Sequence, residues 1–412
     1  MQIFRKLNGK PFLSRIDRFL FLAVFILLVV FFAVNMSPGV PAGNTVELHL
    51  SSSYKELIGK EMAVMLAYEF MEQNPGLQIR FVDEEADILF FTGCDLAEIF
   101  YSNALGAEPV IIPLVSYMDM LFYNIELLKA AGFDRPPQTG AEFTAWGRAA
   151  GNTGNGVIGF AMGLNPNDRR SLSRDIYSWI WAAGGDFWPF SETFSGRTDR
   201  PVFNSPITIS TLFFLRELYR AEILAAGIFD KTGGELLEKF AEGKIAMLIA
   251  STREIPLLRK RMGNGAFGVT AIPSVAAPGA GSLTRKSIAL SHIYAGINPY
   301  CAHIDIAKNF LAFLAERNNL ISASLEAVPG VIPDSSAGFS FGQHIANDPH
   351  HLRAWDIFES SSVVQGFSGR ALAQEFEDIV REELQAFFGE RQTATVTANM
   401  IQNRWDALYS RQ

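Results

Sequence analysis

Residues 45–92 read TVELHLSSSYKELIGKEMAVMLAYEFMEQNPGLQIRFVDEEADILFFT, and this stretch decides the fold class. Thr45 to Leu50 alternates polar and apolar residues, the period of a strand with one buried face. Ser51-Ser52-Ser53 then supplies hydroxyls that can start a helix. That helix is expected to run to about Gln73, with Leu57, Met62, Met65, Leu66, Tyr68 and Phe70 giving much of its apolar surface. Asn74-Pro75-Gly76 ends it, Leu77 to Val82 resumes as a strand, and Asp87 to Phe91 is a further short apolar strand. Strand, helix, strand, strand at these spacings make an α/β lobe whose sheet is largely buried. In such sheets ligands meet the loops beyond the carboxyl ends of strands. That singles out Ser51, Ser52 and Tyr54 after the first strand and Thr92-Gly93-Cys94-Asp95 after the third.

The pattern continues downstream. Val110 to Val115 is β-like and leads through Tyr117-Met118-Asp119-Met120 into Leu121-Phe122-Tyr123-Asn124. A short helix, Glu126 to Ala131, stops at Gly132, and Thr139 can cap the helix that carries Phe143 and Trp146. Val157 to Leu164 reads as a strand, Ser171 to Ala183 as a helix, and Gly184 to Trp188 as an aromatic loop. After Phe203-Asn204-Ser205-Pro206 comes a long amphipathic helix to about Tyr219. Leu236 to Ala250 reads as helix, turn and strand, Phe267 to Pro273 and Ile288 to Ile297 as strands. From Ile304 the chain is mostly helical apart from the loop Val328 to Gly342.

Composition narrows the function classes. The chain has 412 residues, 49% hydrophobic and 19% charged, which fits a folded body of two or three domains and not a disordered one. A formal charge of −8 argues against an electrostatic grip on nucleic acid. Cys94 and Cys301 cannot build a disulfide framework, and whether they pair is open. There is no Walker motif and no HExxH, and no cofactor or metal site is expected. His350-His351 lies near Asp348, but adjacent histidines point apart on most backbones, and a solvated loop is expected there. Asp83-Glu84-Glu85 is a charge run typical of an exposed loop.

The N-terminus reads as an address. Arg5, Lys6, Lys10, Arg15 and Arg18 precede the unbroken apolar run Phe19 to Val34, FLFLAVFILLVVFFAV, which Asn35, Pro38, Gly39 and Pro41 close. As a helix the run would span roughly 24 Å, a little less than a bilayer's hydrocarbon core. Its basic flank would stay cytoplasmic and send the rest outward. Residues 1–42 are therefore expected to be either a cleaved signal peptide or an uncleaved membrane anchor.

Several segments, in order, carry a family resemblance: LFYNIELLKAAGFDRPP (Leu121 to Pro137), AAGGD (Ala182 to Asp186), FNSPITISTLFFLRELY (Phe203 to Tyr219), FAEGKIAM (Phe240 to Met247), FGVTAIP (Phe267 to Pro273) and YAGINPYCAHIDIAKNFLAFL (Tyr294 to Leu314). With them the chain, from about Thr45 onward, resembles the bacterial extracellular solute-binding proteins of carbohydrate ABC importers, the maltose-binding-protein-like family 1. The resemblance implies a type II periplasmic-binding-protein fold: two α/β lobes with a ligand cleft between them, joined by crossings placed near Tyr117–Leu121, Pro273–Ser291 and Leu314–Asn319. Lobe one would comprise 45–118 plus 275–315, and lobe two 122–272 plus 316–412 with the C-terminal helices. It further implies a monomer in the periplasm or at the cell surface that hands a carbohydrate to ABC permease subunits, without catalysis. Departures from the family pattern are a shortened stretch between Phe91 and Pro109, Gly140 where a tryptophan is common, Ser251-Thr252-Arg253 in place of a glycine-containing loop, and no lipobox cysteine.

A pyranose offers apolar faces and a rim of hydroxyls, so its site wants aromatic planes beside carboxylates, amides or arginine. Arg174 to Trp181, RDIYSWIW, holds both kinds: Asp175 and Trp179 share one helical face, Tyr177 and Trp181 another. The resemblance points the start of this helix into the cleft. The alternative buries the tryptophans in the lobe core and leaves Asp175 as a first-turn acid. Ser52, Thr92 and Asp95 are expected at strand ends on the ligand, with capping of a following helix the alternative for Asp95. Tyr117 is expected at a crossing, on the ligand or in hinge packing. Arg253 is expected either in a surface salt bridge or in the cleft against an acidic sugar. His292 and Tyr294 are expected to be structural. Two other functions stay open: a membrane-held sensor or scaffold of the same fold, and a secreted glycan-active enzyme with two facing carboxylates.

Overall fold

The computed structural model describes residues 45–93, 110–151, 156–188, 190–191, 196–197, 200–275, 286–329, 348–364, 366–367 and 372–410. Glu47–Gln412 forms one compact unit. The apolar run Phe19–Val34 lies outside the described residues, and no helix among them is long and apolar enough to cross a membrane. Asp95 and Cys94 also lie outside them, while Cys301 is buried as a free thiol.

The opening stretch folds as its pattern predicts, with one refinement. Strand β1 (Val46–Ser51) is followed by the helices Ser53–Ile58 and Lys60–Gln73, then β2 (Leu77–Val82) and β3 (Ile88–Thr92). Gly59, at φ +88°, splits what reads as one helix into two, a backbone angle that only glycine adopts without strain. The long strand β4 (Ile111–Asn124) ends at Asn124, whose side chain accepts the Leu127 N–H at 3.0 Å and so starts the helix Ile125–Ala130. After the helix Gly140–Gly151 come β5 (Ile158–Ala161), a two-stranded ribbon of β6 (Phe190–Ser191) and β7 (Gly196–Arg197), and the helix Pro206–Arg220. Ser205 caps that last helix and Pro206 occupies its first turn. A Thr232–Glu235 capping box starts Gly233–Ala241, which leads into β8 (Ile245–Ser251), the helix Ile255–Met262 and β9 (Phe267–Thr270). The second long strand, β10 (Ser287–Ile297), precedes the helices Ile304–Glu316 and Asn318–Ser324, β11 (Val328–Pro329), the helix Pro349–Ser360, β12 (Ser362–Val364), and the helices Ala373–Phe388 and Ala394–Tyr409.

One sheet path runs β2-β1-β3-β10-β4-β8-β5, with β9 and β11 on β4 and β12 on β10. Its two long antiparallel strands join the lobes. On β4, Leu114, Val115 and Tyr117 pack in a first core with β1, β3 and the helices Lys60–Gln73 and Ile304–Glu316. Met118, Met120 and Phe122 of the same strand belong to a second core, and Leu121 to a third that covers the other face. On β10, Ile293, Ala295 and Ile297 sit in the first core, while Ile288 and Leu290 pack against the second. The change of lobe therefore falls at the paired positions Ser291↔Tyr117 and Leu290↔Met118.

Two boundaries differ from the sequence reading. Ile321 and Ala327 still pack in the first core, and β11 pairs with β4 at Ser116 and Val115, so the chain has not left lobe one at Leu314–Asn319 and residues 316–329 are not part of lobe two. Val275 packs on the third core, and lobe one resumes near Ser291 instead of at 275. Helix periodicity marks where a helix is but not which core its apolar face finds. In the C-terminal helices, Val380, Leu384, Ile401 and Trp405 share the third core with Phe143, Phe160 and Trp179.

Candidate functional site

Between the cores, where β4 and β10 change lobe, lies a cleft of about 440 Å³. One side is supplied by the end of β3 (Thr92, Gly93) and by β10 (Ser291, His292, Ile293, Tyr294). The other is supplied by Arg169, Arg170, Ser173, Tyr177 and Trp181, by Ser251 and Arg253 after β8, and by Val363, Val364, Gly366, Phe367 and Glu377 from the C-terminal part. Tyr117 and Asp119 of β4 lie at the crossing.

Ser173–Tyr177 forms a single π-helical turn, with the Ser178 N–H reaching back to the Ser173 carbonyl, before α-helical Ser178–Ala182. Such turns are rare and concentrate at functional sites. Ser173, Tyr177 and Trp181 face the cleft. Tyr177 meets Phe187 edge-on at 4.9 Å and lies 5.3 Å from Phe367, so its ring is fixed by its neighbours. The Tyr177 hydroxyl and the Trp181 Nε1 are buried and have no hydrogen-bond partner among the described residues. Burial pushes the Tyr177 phenol well above its usual range, so it stays a neutral donor.

The opposite face goes into the protein: Trp179 takes the core placement that was its alternative, and Asp175 is neither on the cleft nor a solvated first-turn acid. Trp179 is 0% exposed and meets Phe143 at 5.0 Å and Phe160 at 5.8 Å, both edge-on. Asp175, 1% exposed, accepts from Arg174 Nη2 at 2.6 Å and Nε at 2.9 Å and from the Gly163 N–H at 3.1 Å. Arg174 also reaches Asp168 at 2.9 Å, and Asp168 accepts the Gly233 N–H at 2.8 Å. This network is an internal strut, because a buried charge pair is tolerated only when its remaining groups are satisfied. Ser52 does not line the cleft either. It heads the helix Ser53–Ile58, its N–H donates to the Val82 carbonyl at 2.8 Å, and the adjacent Ser51 and Ser53 hydroxyls tie the turn to Phe90. Of the sequence candidates, the structure brings Thr92, Tyr117, Tyr177, Trp181 and Arg253 together.

Arg253 follows β8 in a short 3-10 turn, Thr252–Glu254, that is fastened on both sides: Ser251 Oγ accepts the Arg253 N–H at 3.3 Å, and Thr252 Oγ1 accepts the Met118 N–H at 3.2 Å. Its guanidinium lies 6.0 Å from the centre of the Tyr117 ring, whose phenol burial pushes up to about 12. Arg170 is held by Asp119 at 2.7 Å. His292 and Tyr294, read as structural, line the cleft as well. His292 Nδ1 lies 2.9 Å from Ser116 Oγ, and burial pulls its imidazole down to about 4, so it is neutral near pH 7. Tyr294 stacks on Phe91 at 5.6 Å.

Sequence reading missed Arg169, Arg170, Phe367 and Glu377. The Arg169-Arg170 doublet just before the Ser171 helix was a usable signal; Glu377, on the helix Ala373–Phe388, carries none, since only folding brings it to the cleft. Burial pushes the Glu377 carboxyl up to about 7, with the Arg381 guanidinium at 3.6 Å opposing the shift.

Elsewhere, His350 and His351 are buried in the first turn of Pro349–Ser360 and do not sit in a solvated loop. Asp348 caps that helix by accepting both histidine N–H groups, and His350 stacks on Phe267 at 4.3 Å. Glu326, Asp348 and His351 bring ligating atoms within 4.8 Å of one another, but the Arg259 guanidinium already donates to both carboxylates. A Cβ at Gly140 would meet Val275 Cγ1 at 3.0 Å, so a tryptophan has no room there. A Gly-x-Ser-x-Gly pattern at Gly338–Gly342 lies outside the described residues.

The sequence pattern of the bacterial extracellular solute-binding protein family matches residues 91–318, more than half of the chain. No curated protein sequence matches. Among solved structures, the chain is similar to the cyclic alpha-maltosyl-1,6-maltose binding protein from Arthrobacter globiformis, at 15% identity over 89% of this chain and 100% of that one, with a TM-score of 0.67. It is also similar to maltose-bound MalE3 of T. maritima, at 16% identity over 88% and 100% of the two chains and a TM-score of 0.65. UgpB from Mycobacterium tuberculosis in complex with glycerophosphocholine gives 17% identity, 90% and 100% coverage and a TM-score of 0.64. At such identities the likeness is one of fold: α/β and two-lobed.

Proposed function

The chain belongs to the bacterial extracellular solute-binding proteins, and from that premise we propose that its cleft closes on a saccharide which it hands, as a monomer, to the permease of an ABC importer. The observation that carries the reading is the joining of aromatic planes and polar groups in one cleft between lobes: Tyr177, Trp181, Phe367 and Tyr294 for the faces of a sugar ring, Thr92, Asp119, Ser173 and Ser251 for its hydroxyls. The crossing strands β4 and β10 are the hinge, and contacts made from both lobes at once favour the closed form. Ligand binding of this kind needs no covalent step. Residues 1–42 would export the protein and, if uncleaved, tether it to the outer face of the inner membrane; mass spectrometry of the membrane-fraction and released protein tests that directly.

Thermal-shift measurements against mono- and oligosaccharides, amino acids and peptides test the ligand class, because a ligand selective for the folded form raises the melting temperature. A rise of several degrees with one or a few saccharides is expected. A flat response to every saccharide together with a shift for a peptide or amino acid would overturn the carbohydrate reading and keep the family.

A further inference from the structure

The cleft holds more positive than negative charge on its walls: Arg169, Arg170 and Arg253 against Asp119 and Glu377. Arg170 and Asp119 satisfy each other at 2.7 Å. Glu377 faces Arg381 at 3.6 Å, a cation supplied from behind the wall, and burial further biases this carboxyl toward its neutral form. Arg253 is different. Its backbone is pinned by the Ser251 and Thr252 hydrogen bonds at the β4 crossing, whereas its guanidinium has no hydrogen bond or ion pair with any described residue, and lies near the Tyr117 ring and within electrostatic reach of the adjacent Glu254 carboxylate. A fork of five donors held at the mouth of a partly apolar cleft, beside a hinge, is arranged for an acceptor that arrives with the ligand.

We infer that the saccharide bound in this cleft is acidic, a sugar carrying a carboxylate or a phosphate, and that Arg253 is the residue that engages the anionic group. The inference rests on the saccharide reading above and narrows it from sugars in general to anionic ones. A neutral sugar would leave the guanidinium's donors to water, while a uronate or sugar phosphate would take two of them in the planar geometry that arginine favours. The neighbouring Tyr177 and Trp181 would keep their role against the ring, since an aromatic plane does not distinguish an acidic sugar from its neutral parent.

Calorimetric titration of the full chain with matched pairs separates the possibilities: glucose with glucuronate and with glucose 6-phosphate, galactose with galacturonate, and a neutral with an acidic oligosaccharide of equal length. The acidic member of a pair should bind at least about 10-fold more tightly at low salt, and the gap should narrow in 0.5 M salt. Arg253→Gln should weaken the acidic ligand by about 10- to 100-fold and leave the neutral one within about twofold, and Arg253→Lys should recover part of the loss. Because Arg253 is exposed, both variants should melt within about a degree of the parent. Preference for glucose 6-phosphate over uronates would identify the group as phosphate, and the reverse as carboxylate; either supports the inference. Equal affinity within each pair, or equal loss of both members in Arg253→Gln, overturns it while leaving the saccharide reading intact. Failure of every saccharide, neutral or acidic, overturns both.

Discussion

The segment 173–182 presents two faces of similar composition and opposite fate. Asp175 and Trp179 on one face are sealed in the lobe-two core, and Ser173, Tyr177 and Trp181 on the other border the cleft. Each face has aromatic rings and a polar group, and every residue from Arg174 to Ala182 is buried. What separates them is what they border. Asp175 accepts from three donors inside the protein and Trp179 Nε1 is sealed there without a partner, whereas Tyr177 Oη and Trp181 Nε1 are left without partners in a wall that meets the cleft. An unpaired donor beside a cleft can be met by a ligand, while one sealed in a core cannot.

The sharpest way to break the comparison is to truncate the core face. Trp179→Ala should cost about 3–5 kcal/mol in urea-induced unfolding, since it empties a site walled by Phe143 and Phe160. Whatever folded fraction remains should bind ligand normally. Asp175→Asn should cost about 3 kcal/mol by the same measurement, at the lower end for a broken buried pair because Asp168 still faces Arg174. Equal loss of stability in Trp179→Ala and in a conservative cleft-face variant such as Tyr177→Phe would erase the distinction.

Smaller effects sharpen it. A Glu377 carboxyl raised to about 7 in the folded protein against about 4.5 unfolded stabilises below pH 4.5 and loses that contribution as pH rises through about 7. Glu377→Gln should therefore raise the melting temperature at pH 8 relative to the parent, by an amount equivalent to about 1–2 kcal/mol, with little change at pH 4.5. Scans at the two pH values check this, and an equal shift at both would remove the assigned cause. Tyr177→Phe should leave the melting temperature unchanged or slightly higher, because it deletes a buried hydroxyl with no partner. Its ligand affinity in calorimetry should fall by about 5- to 10-fold, the worth of one hydrogen bond.

Why some of this was legible and some was not follows from the range of the interactions concerned. Residues 45–92 have period-2 and helical patterns with strong stop signals, so the strands and the helical stretch appear where the sequence places them, apart from the break at Gly59. The two-face reading of Arg174 to Trp181 was also local. Which face borders the cleft depends on Gly163, Phe143 and Phe160 on one side and on Phe367 and Glu377 on the other, contacts that the local pattern does not encode. Ser52 failed for a similar reason: a strand end points to a site only if the backbone there is not already committed, and the Ser52 N–H is tied to β2 through Val82. The helix Asn318–Ser324 falls with the first core and not with lobe two, because Ile321 packs there and β11, only two residues long, pairs with β4, contacts that its local pattern does not encode.

The most direct test of the account is a crystal structure of the protein with the saccharide that gives the largest thermal shift. The ligand should lie between β10 and the 173–182 segment, with its ring against Trp181 or Tyr177, a hydrogen bond to Tyr177 Oη or Trp181 Nε1, and the Arg174–Asp175 pair undisturbed. A saccharide seated on the outer surface of either lobe, with the cleft between them empty, would contradict it.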